Sequence, residues 1–376
     1  MTSTTNTTCL VTGGAGFIGT ALAPTLLERF GHVVALDSLL EQVHPGRMWP
    51  SALPAAVERV EGDVRDQRVW DQLFERCRPD VIVHLAAETG TGQSIHEAAR
   101  HTSVNVVGTA QMLDALVRHG IGPRKILLTS SRAVYGEGRW RRADGTPFAP
   151  GQRTLADLDA GIWDFPGSEP LPMAAATVPP DPCSVYGVTK VAQEQLLRTW
   201  GASFDVPIAI VRLQNVYGPG QSLSNPYTGI MSLFCRMARE GASIPLYEDG
   251  RMRRDFVLID DVATGIAAAL DSDAASGRTL DIGSGEHQTI EDAANAIAAF
   301  YHAPAPHVSG QYRLGDVRHA WADIAPTLDV LDWRPRYSLT DGVNRLASWI
   351  EAQGDVPAYG GAPDNDARQG ATDQTR

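Results

Sequence analysis

A tyrosine and a lysine stand four residues apart in SVYGVTK, as Tyr186 and Lys190. On a helix that spacing puts both side chains on one face. A free phenol titrates near about 10 and needs help to act as a base at neutral pH. A neighbouring ammonium and a positively charged nicotinamide both favour its anion. Lys190 could also hold the nicotinamide ribose, so one side chain would serve two purposes. Ser131 in TSSRAVYG adds a hydroxyl able to hydrogen-bond a reacting oxygen, whereas Ser130 beside it reads as a backbone-capping serine. Ser131, Tyr186 and Lys190 are therefore the candidate catalytic group. The chemistry they suit is removal of hydride and proton from an alcohol.

Such chemistry needs a hydride carrier, and TGGAGFIG supplies a seat for one. Gly13, Gly16 and Gly19 follow an apolar run and open a helical pattern that begins with Phe17 and Ile18. Glycines there let the backbone turn sharply and approach a pyrophosphate, while the helix N-terminus offers amides and positive dipole. Asp37 lies about twenty residues on, at the end of the second apolar run, where a carboxylate accepts from ribose hydroxyls and repels a 2′-phosphate. NAD is favoured over NADP on that ground. Asp63 and Val64 follow the third run and are positioned to meet the adenine; Asp63 after Gly62 also suits a plain turn.

Apolar runs at 9–12, 32–36, 57–62, 81–85, 125–129 and 208–212 read as buried strands. Helical patterns at 15–30, 66–76, 102–119 and 182–204 separate them. The alternation predicts an α/β fold, a Rossmann doubly wound parallel sheet joined by right-handed crossovers. Beyond residue 214 the alternation weakens, with helical patterns at 230–240, 261–271 and 290–301 among short strands. That predicts an NAD-binding domain over 7–214 and a smaller mixed α/β substrate lobe over 215–350, some of whose elements return to the first domain. The segment 138–180, rich in Pro, Gly and Arg, is long for a connection, and its Trp163, Phe165 and Leu171 would let it pack as a lid. Residues 354–376 carry almost no large apolar side chain and read as a disordered tail.

At 43% apolar and 20% charged residues the composition is that of a soluble globular protein. A net charge of −12 argues against a nucleic-acid partner but not against a phosphorylated small ligand held by local arginines. Cys9, Cys77, Cys183 and Cys235 form no CxxC pair, so no zinc or other metal site and no disulfide framework is expected. No run is long enough to span a bilayer, and MTSTTNTT lacks the features of a signal peptide, which leads to the expectation of a cytoplasmic protein.

TGGAGFIG, HLAA at 84–87, Asn105, SSRAVYG, YGVTK, RLQNVYGP and RRDFVLIDDV together resemble the extended short-chain dehydrogenase/reductase family, and within it the nucleotide-sugar epimerases and dehydratases. The resemblance runs from about residue 9 to 350. It implies tightly bound NAD contacted also by Leu85, Ala86, Ala87 and Asn105, and a homodimer joined near 102–119 and 184–200. It further implies that Thr89, beside Glu88 and Thr91, contacts the hexose, and that Asn215, Gln221, Asn225 and Tyr227 line the nucleotide cleft. Arg254 and Arg313 fit the family's pyrophosphate arginines, with Arg318 a further candidate, and Asp316 fits the carboxylate that holds the nucleotide ribose.

The two positions after Ser131 divide the family's reactions. Dehydratases there carry an Asp-Glu pair, and decarboxylases a glutamate at the second position; this chain has Arg132 and Ala133, neither able to protonate a leaving hydroxyl. Arg132 becomes a candidate substrate contact. What remains is a 4-epimerase: hydride leaves C4 for NAD, the 4-keto sugar turns over, and hydride returns to the opposite face. The runs QSLSNPYTGI, YEDG and YRLGDVRHAWADI are most similar to epimerases of dTDP-6-deoxyhexoses such as dTDP-L-rhamnose, an isomerase of deoxysugar biosynthesis. Some of those carry cysteine pairs in the region of 138–180, and this chain has none there. A net nucleotide-sugar oxidoreductase and a C2 epimerase are the alternatives.

Overall fold

Uninterrupted apolar runs make strands that can only be buried on both faces. The computed structural model of the protein describes residues 7–223, 225, 229–354 and 367–370. Its central sheet takes Thr8–Thr12 (β1), His32–Asp37 (β2), Glu58–Glu61 (β3), Val81–His84 (β4), Lys125–Ser131 (β5), Ile208–Leu213 (β6) and Thr279–Ile282 (β7). All seven run parallel in the order β3-β2-β1-β4-β5-β6-β7. The order reverses between β1 and β4, and in such sheets a ligand crevice opens beyond the strand ends at that point. The seventh strand comes from the C-terminal third of the chain, so that part does return to the sheet.

Helices cover both faces. Phe17–Leu27 (α1) brings Leu22, Ala23 and Leu26 against Val262 and Ile266, in a core that also holds Val11, Val83 and Ile282. On the other face Trp70, Leu73 and Phe74 of Gln67–Arg76 (α2) pack with Met112, Leu113 and Leu116 of Gly108–Arg118 (α3) and with Leu197 of Val185–Phe204 (α4). Residues Ser103–Val107 lead into α3 as one π-helical turn, so the helix expected from 102 divides there. A third core sits in the lobe, where Ile230–Arg239 (α5), Ile290–Tyr301 (α7) and Leu339–Ala352 (α8) surround Phe234, Ile297 and Leu346, while Ile259–Asp271 (α6) lies on α1.

The segment 138–180 is a small structured unit. Trp140–Arg142 pairs antiparallel with Pro147–Phe148 and with Ser168–Pro170, and Leu155–Asp159 adds a helical turn. Trp140 is fully buried with Phe165 edge-on to it at 4.9 Å. Buried ion pairs lock this unit to the lobe. Arg153 meets Glu137 at 3.1 Å and Glu248 at 2.8 Å, while Arg318 meets Glu248 at 2.8 Å, Asp249 at 2.7 Å and Asp164 at 2.8 Å.

The expected disordered tail needs a correction within its described part. Ala367–Gln369 forms a strand antiparallel to Gln311–Arg313, and Gly370 is buried. Backbone pairing needs no apolar side chains, which is why composition alone misread the segment.

Removing the Arg318 charge leaves buried Glu248 with Arg153 alone and takes from Asp249 and Asp164 a bonded guanidinium. Arg318→Met should destabilise the fold by about 3–5 kcal/mol, read by urea unfolding; a change within about 0.5 kcal/mol, as for an ordinary surface site, would mean the cluster holds nothing together.

Candidate active site

A cleft of about 1350 Å³ opens beyond the ends of β1, β2 and β4. Gly13, Gly16, Phe17, Ile18, Asp37, Asp63, Val64, Leu85, Ala86 and Ala87, each expected at the cofactor, all line it. Gly13 has φ +69°, and a Cβ there would stand 2.8 Å from the Ala86 amide nitrogen, so only glycine lets β1 turn against β4. Gly19 sits where a Cβ would come 2.7 Å from the Gly14 carbonyl oxygen, which lets α1 start against the turn. The Asp37 carboxylate accepts from the Ala15 amide at 3.0 Å and the Leu39 amide at 2.9 Å. A bare backbone loop at a helix start, with a fixed carboxylate at the next strand end, fits a dinucleotide. Asp63 is paired with Arg65 at 2.6 Å, and that pairing draws its pKa down against the upward push of burial.

Asn105 stands behind this cleft. Fully buried, it donates to the Glu88 carbonyl at 3.0 Å and to Thr189 Oγ1 at 2.9 Å, and accepts from the Glu88 amide at 2.8 Å. It braces the segment after β4 against α4.

Tyr186 and Lys190 lie in the first two turns of α4, whose cap Ser184 accepts from the Gly187 amide at 3.1 Å. Ser131 ends β5 and accepts from the Ala133 amide at 3.1 Å. Burial raises the Tyr186 pKa, while the Ser131 hydroxyl and the Arg132 guanidinium pull it back toward the anion. The Lys190 ammonium is directed elsewhere, donating to Gln193 Oε1 at 2.5 Å, and burial lowers its pKa to about 7 against the opposing charge of Glu194. Arg132 is therefore the cation whose charge acts against the effect of burial on Tyr186. Ser130 does not cap the backbone; its hydroxyl donates to Glu194 Oε1 at 2.6 Å.

On the substrate side, Thr89, Gln221 and Asn225 share the cleft wall. Gln221 accepts from the Ser232 hydroxyl at 2.8 Å, and Asn225 accepts from the Gln42 amide at 3.2 Å. Asn215 has a buried Oδ1 with no hydrogen-bond partner among the described residues. Arg132 feels burial first and then the Asp316 carboxylate, and Arg254 feels burial and then Arg132, which lowers its pKa to about 9. Arg132, Arg254 and Asp316 thus form one charged group. Arg254 donates to the carbonyls of Val317 at 2.6 Å and Arg318 at 3.0 Å, which fixes the strand segment next to Asp316. Arg313 lies over the Tyr247 ring at 5.3 Å. Arg318 is buried and bonded to the Glu248, Asp249 and Asp164 carboxylates. Tyr227 lies outside the described residues. Among the described residues no helix is long and apolar enough to cross a membrane, and no His, Cys, Asp and Glu group is arranged to hold a metal ion.

The model of the NAD dependent epimerase/dehydratase family matches residues 9–155 and 164–283. The chain belongs to that family. It is 54% identical over 341 residues to a dTDP-L-rhamnose 4-epimerase of Burkholderia thailandensis, covering 91% of this chain and 94% of that one. It is 31% identical to a UDP-glucose 4-epimerase of Mycolicibacterium smegmatis, over 91% and 97% of the two chains. Among solved structures, the UDP-glucose 4-epimerase of Thermus thermophilus in complex with NAD superposes with TM-score 0.72 at 26% identity, over 92% of this chain and 99% of that one. The protein is thus an NAD-dependent epimerase of nucleotide sugars.

Sequence reasoning missed Gln193, Glu194 and Arg212. Gln193 was findable, since three residues after Lys190 it must share that lysine's helix face.

A Cβ at Gly13 would push into the Leu85–Ala86 backbone just after β4. Gly13→Ala should lower NAD affinity about tenfold or more, measured as nucleotide content after gel filtration; wild-type content would show that the loop yields.

Proposed function

We propose that the protein interconverts the C4 epimers of a dTDP-6-deoxyhexose, with dTDP-L-rhamnose the first substrate to test. The observation that carries this reading is the 54% identity to the Burkholderia thailandensis dTDP-L-rhamnose 4-epimerase across nearly all of both chains. The residues after Ser131 agree with it: Arg132 and Ala133 offer no acid for eliminating water, so the site is left with proton and hydride traffic alone.

Bound NAD supplies the acceptor and donor of hydride at C4. The protein's own part is to bind, orient and move one proton. Tyr186 takes the C4 hydroxyl proton at Oη and returns it, Ser131 Oγ hydrogen-bonds the same oxygen, and Arg132 favours the phenolate. Lys190 holds the nicotinamide ribose. Arg254, Arg313 and Asp316 take the pyrophosphate and ribose of the nucleotide, and Asn215 offers its unpaired Oδ1 on the substrate side. Two subunits join through 102–119 and α4, where Val107, Val117, Val188 and Phe204 expose apolar side chains. We place the protein in the cytoplasm, where its isolated thiols stay reduced.

Proton NMR of the purified protein with dTDP-L-rhamnose and no added cofactor tests the reading. A second anomeric signal should grow to a fixed ratio with no accumulation of NADH absorbance. Change only on stoichiometric NAD(H) would make the enzyme a net oxidoreductase, and a shift at C2 a 2-epimerase. Tyr186→Phe should lower kcat by about 10²–10⁴-fold with its NAD content intact; undiminished turnover would remove Tyr186 as the base.

A further inference from the structure

Beneath α4 lies a buried chain of polar groups that the catalytic reading does not use. Lys190 Nζ donates to Gln193 Oε1 at 2.5 Å, and Gln193 Nε2 donates to Thr109 Oγ1 at 2.9 Å. Thr109 Oγ1 spends its own proton on the Asn105 carbonyl at 2.6 Å. It can therefore only accept from its other neighbours, Gln193 Nε2 and, at 2.9 Å, His84 Nε2. That assigns His84 as the neutral Nε2–H tautomer. Its Nδ1 is then an acceptor, and Thr12 Oγ1 donates to it at 2.7 Å while accepting from the Ala86 amide at 3.2 Å. Burial, with the Lys190 charge behind it, lowers the His84 pKa to about 3, in keeping with a neutral ring.

Gln193 Nε2 also lies 3.3 Å from His84 Nε2, a longer contact than its 2.9 Å bond to Thr109, so the Lys190 and Thr109 ends set the amide's orientation. Turning the Gln193 amide over would set its oxygen against the Thr109 oxygen and aim its NH₂ at an ammonium. Both contacts are repulsive, so the amide oxygen is held facing Lys190. Thr12 closes β1 immediately before the glycine turn, and His84 closes β4. The cofactor loop, the sheet and the lysine are thus connected through one oriented amide.

We propose that Gln193 is a positioning residue for Lys190, its oxygen preset by Thr12, His84 and Thr109 to keep the lysine an ammonium and aimed along the helix face. The proposal rests on Lys190 serving the reaction. The charged and titratable groups around Lys190 are Tyr186 and Glu194 on α4 and His84 on β4. Glu194 is itself neutralised by Arg212 of β6, which meets it at 2.8 Å and 2.9 Å. With Glu194 so engaged, Gln193 is the acceptor that the ammonium contacts. Loss of that acceptor makes the charged form less favourable, so Lys190 sheds its proton at lower pH.

The test is the pH profile of kcat in the NAD-loaded enzyme, with NAD content of the purified protein as a second readout. In Gln193→Met, which keeps the volume and removes the acceptor, the alkaline fall-off should move down by about one pH unit, with NAD content at neutral pH unchanged. In Gln193→Glu, whose carboxylate favours the ammonium, the fall-off should lie at or above its wild-type position. Thr109→Val leaves Gln193 in place and removes the oxygen that orients it; a smaller downward shift is expected, and this variant decides if Gln193→Met fails to fold. An alkaline limb unmoved in these variants, with kcat unchanged or lowered evenly at all pH, overturns the proposal. Lys190→Met separates it from the reading beneath it: undiminished turnover there removes Lys190 from the reaction altogether.

Discussion

One buried carboxylate sets the geometry on which the reaction centre depends. Glu194 accepts from Arg212 through two guanidinium nitrogens and from the Ser130 hydroxyl. It thereby ties α4, which carries Tyr186 and Lys190, to β5, whose next residue is Ser131, and to β6, which leads to Asn215. A helix resting on apolar contacts alone could slide along the sheet at little cost, because such packing is non-directional. A bidentate ion pair out of water cannot, since a shift leaves a charge desolvated and unpaired. The pair's far side is fixed as well: the Arg212 guanidinium stacks 4.6 Å over the Tyr135 ring, whose hydroxyl donates to Asp281 at 2.7 Å.

The substrate side uses the same device on a larger scale. Arg153 and Arg318 gather carboxylates from the 138–180 unit and from the lobe, and Arg153 also donates to the Asp316 carbonyl at 2.8 Å. Asp316 is consequently held by its backbone from one side and by Arg254 on the following residues from the other. The inserted unit behaves as a wall of the lobe. It meets the lobe through the buried Arg153–Glu248 pair and through Arg318 on the half-exposed Asp164.

What the sequence disclosed, it disclosed where the physics is local. The glycine turn, Asp37 and the Tyr186–Lys190 spacing depend on backbone sterics and helix pitch within a few residues, and each is found at the predicted element. The buried strands were legible as apolar runs, to within a few residues at their ends. Arg318 was not legible, because its partners lie about seventy and one hundred and fifty positions away, and a buried arginine and a ligand-binding one look alike in a string of letters. Ser130 was misread as a backbone cap for a related reason: the carboxylate that takes its hydroxyl, Glu194, lies on a helix 64 positions away. The insert's three short strands carry no periodicity long enough to detect.

The strand Ala367–Gln369 beside Gln311–Arg313 has a practical side. The first strand starts at the end of the sheet opposite the cleft, so anything attached ahead of it is joined on the far side from the cleft. The last described strand ends against the lobe, next to the segment that carries Arg313 and Asp316. Fusions and affinity handles on this enzyme belong at its beginning; at its end they would be joined beside the Gln311–Arg313 strand.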